Sequence, residues 1–179
     1  MSTPHHDDVW IFGYGSLMWD PGFPHVAVRP ALLRGYHRRF CVLSHQHRGT
    51  PDRPGLVLGL DRGGACRGLA FRVAAPDAVP VMAYLWEREM MNRVYAPKLL
   101  SVQIPEGRIQ AHAFVADPRH RQYAGRLTLE ETIRLICQGV GGRGTCRDYL
   151  VNTARRLAEL GIEDESIGRL RGALDGTSA

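Results

Sequence analysis

The chain has 179 residues, a formal net charge of +5, and 44% hydrophobic against 23% charged residues. That length suits one well-buried core, and no apolar run approaches the roughly 20 residues that cross a bilayer as a helix. The positive charge is nearly all arginine, with Lys98 the lone lysine and no arginine run longer than two, so the pattern is a poor nucleic-acid footprint.

Residues 1–8 are polar and acidic where a signal peptide would be basic and then apolar. They are expected to form a disordered tail, and the chain to be cytoplasmic. Cys41, Cys66, Cys137 and Cys146 form no C-x-x-C pair and no metal-ligand spacing, so free thiols are expected.

Val9 to Phe12 is a short apolar run rich in β-branched and aromatic residues, closed by Gly13-Tyr14-Gly15-Ser16. It predicts a buried strand leading into a loop. The loop is unusually apolar, carrying Tyr14, Leu17 and Trp19. It reads either as a tight turn packed over the core or as a binding loop whose amides face a pocket.

Asp20 to Pro24 is turn-rich. Residues 31–44 alternate loosely, with Gly35 interrupting, which predicts a long bent strand of the kind barrels use. Residues 44–55, holding His45, His47, Arg48, Gly49, Pro51 and Pro54, predict a long loop. Leu56–Leu60 and Cys66–Val73 are expected to form a hairpin across Asp61-Arg-Gly-Gly64. A second hairpin is expected from Leu99–Ile104 and Arg108–Ala116 across Pro105-Glu-Gly107, with Ile109, Ala111, Ala113 and Val115 on its buried face.

Helices are expected over Pro76–Met91, over Thr128–Gln138 with the capping box Thr-Leu-Glu-Glu131, and over Thr145–Leu160 with Gly161 as its stop. A short amphipathic piece follows from Glu163 to Leu174. Hairpin-paired strands with helices inserted late indicate an α+β fold rather than alternating β-α-β units.

The first helix carries the strongest chemical clue. At about 100° per residue, Ala78, Val81, Met82, Leu85 and Trp86 share one stripe. Glu89 falls near its middle and Glu87 on the opposite side. A carboxylate facing the interior must be paired, hydrogen-bonded or neutral. Either Glu89 makes an ion pair, for example with Arg72, or sits at a frayed helix end, or its raised pKa lets it exchange a proton near neutrality.

Other signals carry less. Gly139-Val-Gly-Gly-Arg-Gly144 fits G-x-G-x-x-G but follows a helical pattern rather than a strand, so its glycines are expected to end one helix and open the next. Ser16 lacks G-x-S-x-G and a matched His and Asp. His45 and His47 have no second cluster to complete a metal site.

With Gly13-Tyr14-Gly15-Ser16 and Glu89 both identified, the chain resembles the ChaC-type γ-glutamylcyclotransferases. The resemblance runs from about Val9 to Leu174. Trp10-Ile-Phe-Gly-Tyr-Gly-Ser-Leu-Met-Trp19 is similar to the family's signature loop. Arg38-Arg39-Phe40, Ser44, His47-Arg48-Gly49 and Pro54-Gly55 resemble its second block. Tyr84-Leu85 with Arg88-Glu89 resembles the helix bearing the family's catalytic glutamate. Gly144-Thr145 with Tyr149-Leu150 resembles the start of a late helix bearing a substrate-side tyrosine. Two departures stand out: family members often have Trp at the position of Cys41, and often a glycine shortly before the tyrosine matched by Tyr95, where Asn92-Arg93-Val94 stand here.

The resemblance implies a single domain over residues 9–175, built as a small mixed β-barrel with surrounding helices. It implies cleavage of glutathione to 5-oxoproline and cysteinylglycine, without metal or cofactor. Glu89 would be the catalytic acid/base. Ile11, Phe12, Gly13, Tyr14, Gly15, Ser16, Leu17, Tyr95 and Tyr149 would be the substrate-binding residues. Two alternatives stand beside this reading: cyclotransfer on another γ-glutamyl peptide or a γ-glutamyl-amine, and a non-catalytic γ-glutamyl-binding domain. The sequence does not decide between monomer and dimer.

Overall fold

The computed structural model describes residues 7–91 and 93–177. The expected tail falls mostly outside these. Asp8 lies inside them, its carboxylate accepting from the Ala75 amide at 3.0 Å and standing 3.5 Å from Arg72 Nε.

Among the described residues, five strands form a closed mixed barrel in the order β1-β3-β2-β4-β5, accompanied by four α-helices. The strands are β1 (Val9–Gly13), β2 (Ala27–Ser44), β3 (Gly55–Val73), β4 (Tyr95–Ile104) and β5 (Gly107–Ala116). The helices are α1 (Ala78–Met90), α2 (Leu129–Gln138), α3 (Cys146–Glu159) and α4 (Glu165–Gly176). Strand β1 pairs antiparallel with β3, from Val9↔Val73 to Gly13↔Leu69, and parallel with β5 at Trp10↔Ala111 and Ile11↔His112. The α+β barrel expected from the sequence is therefore the observed architecture.

The expected hairpin within residues 56–73 does not form. Residues 55–73 are one 19-residue strand. Gly63 and Gly64 do adopt positive φ, 102° and 64°. They bend the strand without reversing it, and His37 Nδ1 on β2 donates to the Gly63 carbonyl at 3.0 Å. The β4–β5 hairpin forms as expected, turning through Pro105 and Glu106. The first helix also forms as expected, with one correction: Trp86 is 52% exposed and lies off the buried stripe that holds Val81 and Leu85.

The chain falls into two compact units, one of residues up to His37 together with Arg62–Val115, the other of Arg38–Asp61 together with residues from Ala116 on. The first has its own apolar centre in Ile11, Leu17, Phe23, Phe71, Val73, Val81, Leu85 and Phe114. Each of these side chains is at least nine-tenths buried, and burying one contributes about 1.5–3 kcal/mol.

In the second unit, α2 starts with the expected capping box, Thr128 and Glu131 satisfying each other's amides. Gly161 ends α3 in a left-handed conformation, φ 68°. Arg38 is buried and donates to Asp164 Oδ2 at 2.7 Å. Arg39 and Tyr123 both meet the Asp61 carboxylate, and burial, reinforced by Asp61, pushes the neighbouring Cys41 thiol up to about 12. The glycines of the G-x-G-x-x-G stretch serve close backbone packing. Val140–Gly141 (β6) and Gly144–Thr145 (β7) pair as a small hairpin whose Gly142 and Arg143 amides donate to the Gln46 and His47 carbonyls. A Cβ on Gly141 would come within 2.5 Å of the Gln46 oxygen.

Candidate active site

The first unit assembles most of the residues selected from sequence. Ile11 and Phe12 are wholly buried at the end of β1, and Gly13 closes the strand. Tyr14, 8% exposed, leads to a single 3-10 turn, Ser16–Met18, with Leu17 turned into the apolar centre. The Met18 amide bonds back to Gly15 and the Trp19 and Asp20 amides to Ser16. The amides of Ser16 and Leu17 precede the first of these bonds, so the turn itself offers them no acceptor. Tyr95 starts β4 and packs against the cluster that contains Ile11, Leu17 and Leu85. Tyr149 belongs to the second unit. There Phe40 meets its ring edge-on at 5.7 Å, the Arg48 guanidinium lies 5.3 Å from the ring centre, and its hydroxyl accepts from the Leu58 amide at 3.4 Å.

Glu89 lies in the last turn of α1, its side chain 17% exposed. Glu87, two residues earlier, is exposed. Burial raises the Glu89 carboxyl above its ordinary range, and Arg88 works in the opposite direction with smaller effect. The Arg88 Nε to Glu89 Oε1 distance is 3.8 Å, too long for a hydrogen bond. Arg72, the partner considered from sequence, is instead beside Asp8. The outcome is a largely buried carboxyl group that holds its proton to higher pH than a solvated one.

Arg88 is a residue whose reach the sequence did not reveal. Its Nη2 donates to Ser16 Oγ at 3.0 Å. Its Nη1 faces the Asp20 carbonyl at 2.8 Å, the Pro21 carbonyl at 3.1 Å and Tyr84 Oη at 3.0 Å. The guanidinium is always protonated and cannot serve as a base, so Ser16 is paired with a cation rather than with a group that would make it a nucleophile. Beside this contact Gly22 has φ 71°, and a Cβ there would fall 2.3 Å from Tyr84 Oη. Glycine gives the 20–22 segment that backbone angle without strain and leaves the Tyr84 hydroxyl where it stands.

Before Tyr95, where family members often have a glycine, Arg93 takes a left-handed φ of 55°. That conformation costs a side-chain-bearing residue roughly 1–2 kcal/mol. Among the described residues no group of three or more His, Cys, Asp or Glu side chains is placed to hold a metal ion, and no helix is long and apolar enough to cross a membrane.

The model of the ChaC-like protein family matches residues 9–175. The chain belongs to the ChaC-like family. The glutathione-specific γ-glutamylcyclotransferase of Escherichia coli K12 is 35% identical over 168 residues, covering 93% of this chain and 73% of that protein. The human glutathione-specific γ-glutamylcyclotransferase 1 is 35% identical over 154 residues, covering 82% and 68%. The crystal structure of a yeast γ-glutamyl cyclotransferase specific to glutathione superposes with a TM-score of 0.85 at 21% identity, covering 97% of this chain and 100% of that one. This last likeness concerns the fold.

Proposed function

We propose that this ChaC-like chain is a glutathione-specific γ-glutamylcyclotransferase, a lyase-type enzyme of the cytoplasm that works without metal or cofactor. The single family match over residues 9–175 supports treating that stretch as one functional domain. The observation that carries the chemistry is the desolvated Glu89 carboxyl, linked to the Gly13–Leu17 loop through Arg88, which stands 3.8 Å from Glu89 Oε1 and donates to Ser16 Oγ.

The substrate's α-amine is protonated at neutral pH and has no lone pair to offer. Glu89, ionised, accepts one of its protons, and the freed nitrogen attacks the γ-carbonyl carbon. A new C–N bond closes the five-membered ring of 5-oxoproline. The bond to the cysteinyl nitrogen then breaks, and that nitrogen leaves as the amine of cysteinylglycine. Two protons pass in all from the attacking nitrogen to the departing one, and Glu89 carries them. A positioned acid/base of this kind contributes roughly 10²–10⁴ in rate.

Burial suits Glu89 to both halves of the task, because raising its pKa narrows the energy gap between its charged and neutral forms near neutrality. Ring closure within one molecule already tethers nucleophile and electrophile, so the remaining requirement is to hold the γ-glutamyl chain folded. We assign that to Ile11 through Leu17 and to Tyr95. The Ser16 and Leu17 amides are the natural donors to the oxygen that gains charge in the tetrahedral intermediate. Tyr149 is assigned to the substrate on the family resemblance alone.

The test is direct. The purified protein is incubated with glutathione, γ-glutamylcysteine and a γ-glutamyl-amine, and 5-oxoproline is measured by mass spectrometry. Product from glutathione in clear preference is expected. Preference for another substrate would reassign the specificity, and no product from any of them in folded protein would leave a binding domain.

A further inference from the structure

We propose that Arg88 is a positioning residue that fastens the Gly13–Leu17 loop to α1, fixing where the loop stands relative to Glu89. This rests on the functional reading above. The geometry is that of a clamp. One guanidinium reaches the loop at Ser16 Oγ, the chain just beyond it at the Asp20 and Pro21 carbonyls, and its own helix at Tyr84 Oη. Its Nε flank faces the adjacent Glu89 carboxylate at 3.8 Å. Tyr84 and Arg88 are four residues apart and so lie on one helix face. The Tyr84 hydroxyl abuts the same segment, where a Cβ built on Gly22 would fall 2.3 Å from it.

These contacts demand a planar fork with donors pointing in several fixed directions, which a lysine ammonium cannot reproduce. Arg88 therefore has two separable properties. Its directional hydrogen bonds hold the loop, while its charge bears on Glu89. The other titratable groups on the loop, α1 and β4 are Tyr14, Asp20, Tyr84, Glu87, Tyr95 and Lys98, and Arg88 is the charged group that acts on the Glu89 carboxyl.

Substitution separates the two properties. Steady-state release of 5-oxoproline from glutathione is measured across pH for the wild type, Ser16→Ala, Arg88→Lys and Arg88→Met. Ser16→Ala and Arg88→Lys are each expected to raise KM by about 10-fold, the worth of a charge-assisted hydrogen bond, while the acidic limb of the kcat/KM profile stays where it is. Arg88→Met should raise KM and also move that limb to higher pH, because the cation opposing Glu89 protonation is gone. The double variant Ser16→Ala/Arg88→Lys should be no worse than about the poorer single variant, since both remove one contact.

An unchanged KM in Arg88→Lys, or effects of Ser16→Ala and Arg88→Lys that simply multiply, overturns the clamp. If Arg88→Met fails to fold, the lysine and serine variants carry the decision. The functional reading fails differently, by absence of wild-type turnover or by full activity in Glu89→Gln.

Discussion

Glu87 and Glu89 stand two residues apart on α1 in opposite surroundings: Glu87 is exposed, while the side chain of Glu89 is 17% exposed and its carboxyl is raised by burial. The cause is helical phase, because two residues are about 200° of rotation. Identical side chains thus stand one in solvent and one in a desolvating environment. Replacing Glu89 with Gln keeps its size and removes its proton exchange, so turnover of glutathione should fall by roughly 10²–10⁴. The same change at Glu87 should alter kcat/KM by less than about 2-fold, as expected for a surface position. A coupled 5-oxoproline assay on both variants decides it, and an equal loss in the two would remove Glu89 from its proposed role.

The same burial has a consequence for stability. In the unfolded chain Glu89 titrates in the ordinary carboxylate range, while in the folded chain it holds its proton to higher pH. Between those two values the folded state binds more protons than the unfolded state, so this group's contribution to stability declines as pH rises through that window. Above the folded value the protein bears the full cost of a desolvated charge. Gln has no such charge. Glu89→Gln is therefore expected to melt above the wild type at neutral and alkaline pH, with the difference vanishing below the ordinary carboxylate range. Thermal scans at a series of pH values measure this. A variant that melts lower than the wild type at pH 8 would mean that the charged form of Glu89 is stabilised, not penalised, by its surroundings.

How far the sequence disclosed this architecture depends on the range of the interaction. The interior position of Glu89 and the capping box of α2 were legible because each follows from residues within one or two helical turns. The bend at Gly63-Gly64 was misread because consecutive glycines of positive φ serve a tight hairpin and a bulged strand alike. What distinguishes them is the partner: β3 runs on beside β2, whose His37 bonds the Gly63 carbonyl from 26 residues away. Trp86 was placed one step too far round the helix, at the edge of a stripe where 100° decides between core and solvent. Arg88 was invisible as a clamp because its fork reaches a serine 72 residues earlier, and no periodicity records the direction of a long flexible side chain. The barrel itself came from the family resemblance, since closure depends on long-range pairings such as β1 with β5.

In the second unit, Asp164 has two duties that one experiment separates. Its Oδ2 accepts from buried Arg38 at 2.7 Å, and its Oδ1 caps α4 by accepting from the Ile167 amide at 3.1 Å. Asn is as good an N-cap as Asp, so Asp164→Asn preserves the cap and removes the anion. Taking one partner from a buried ion pair costs about 3–5 kcal/mol. The Asp164 side chain is 15% exposed against 1% for Arg38, which argues for the lower end of that range. Urea unfolding of Asp164→Asn should show that loss with an unchanged m-value. Adding Arg38→Met should restore a large part of it, because an apolar chain of similar length no longer requires an anion. A loss below about 1 kcal/mol, within the range of an exposed ion pair, would show that the pair does not anchor α4 to β2. No recovery in the double variant would show that the Arg38 guanidinium is needed for its other contacts rather than for its charge.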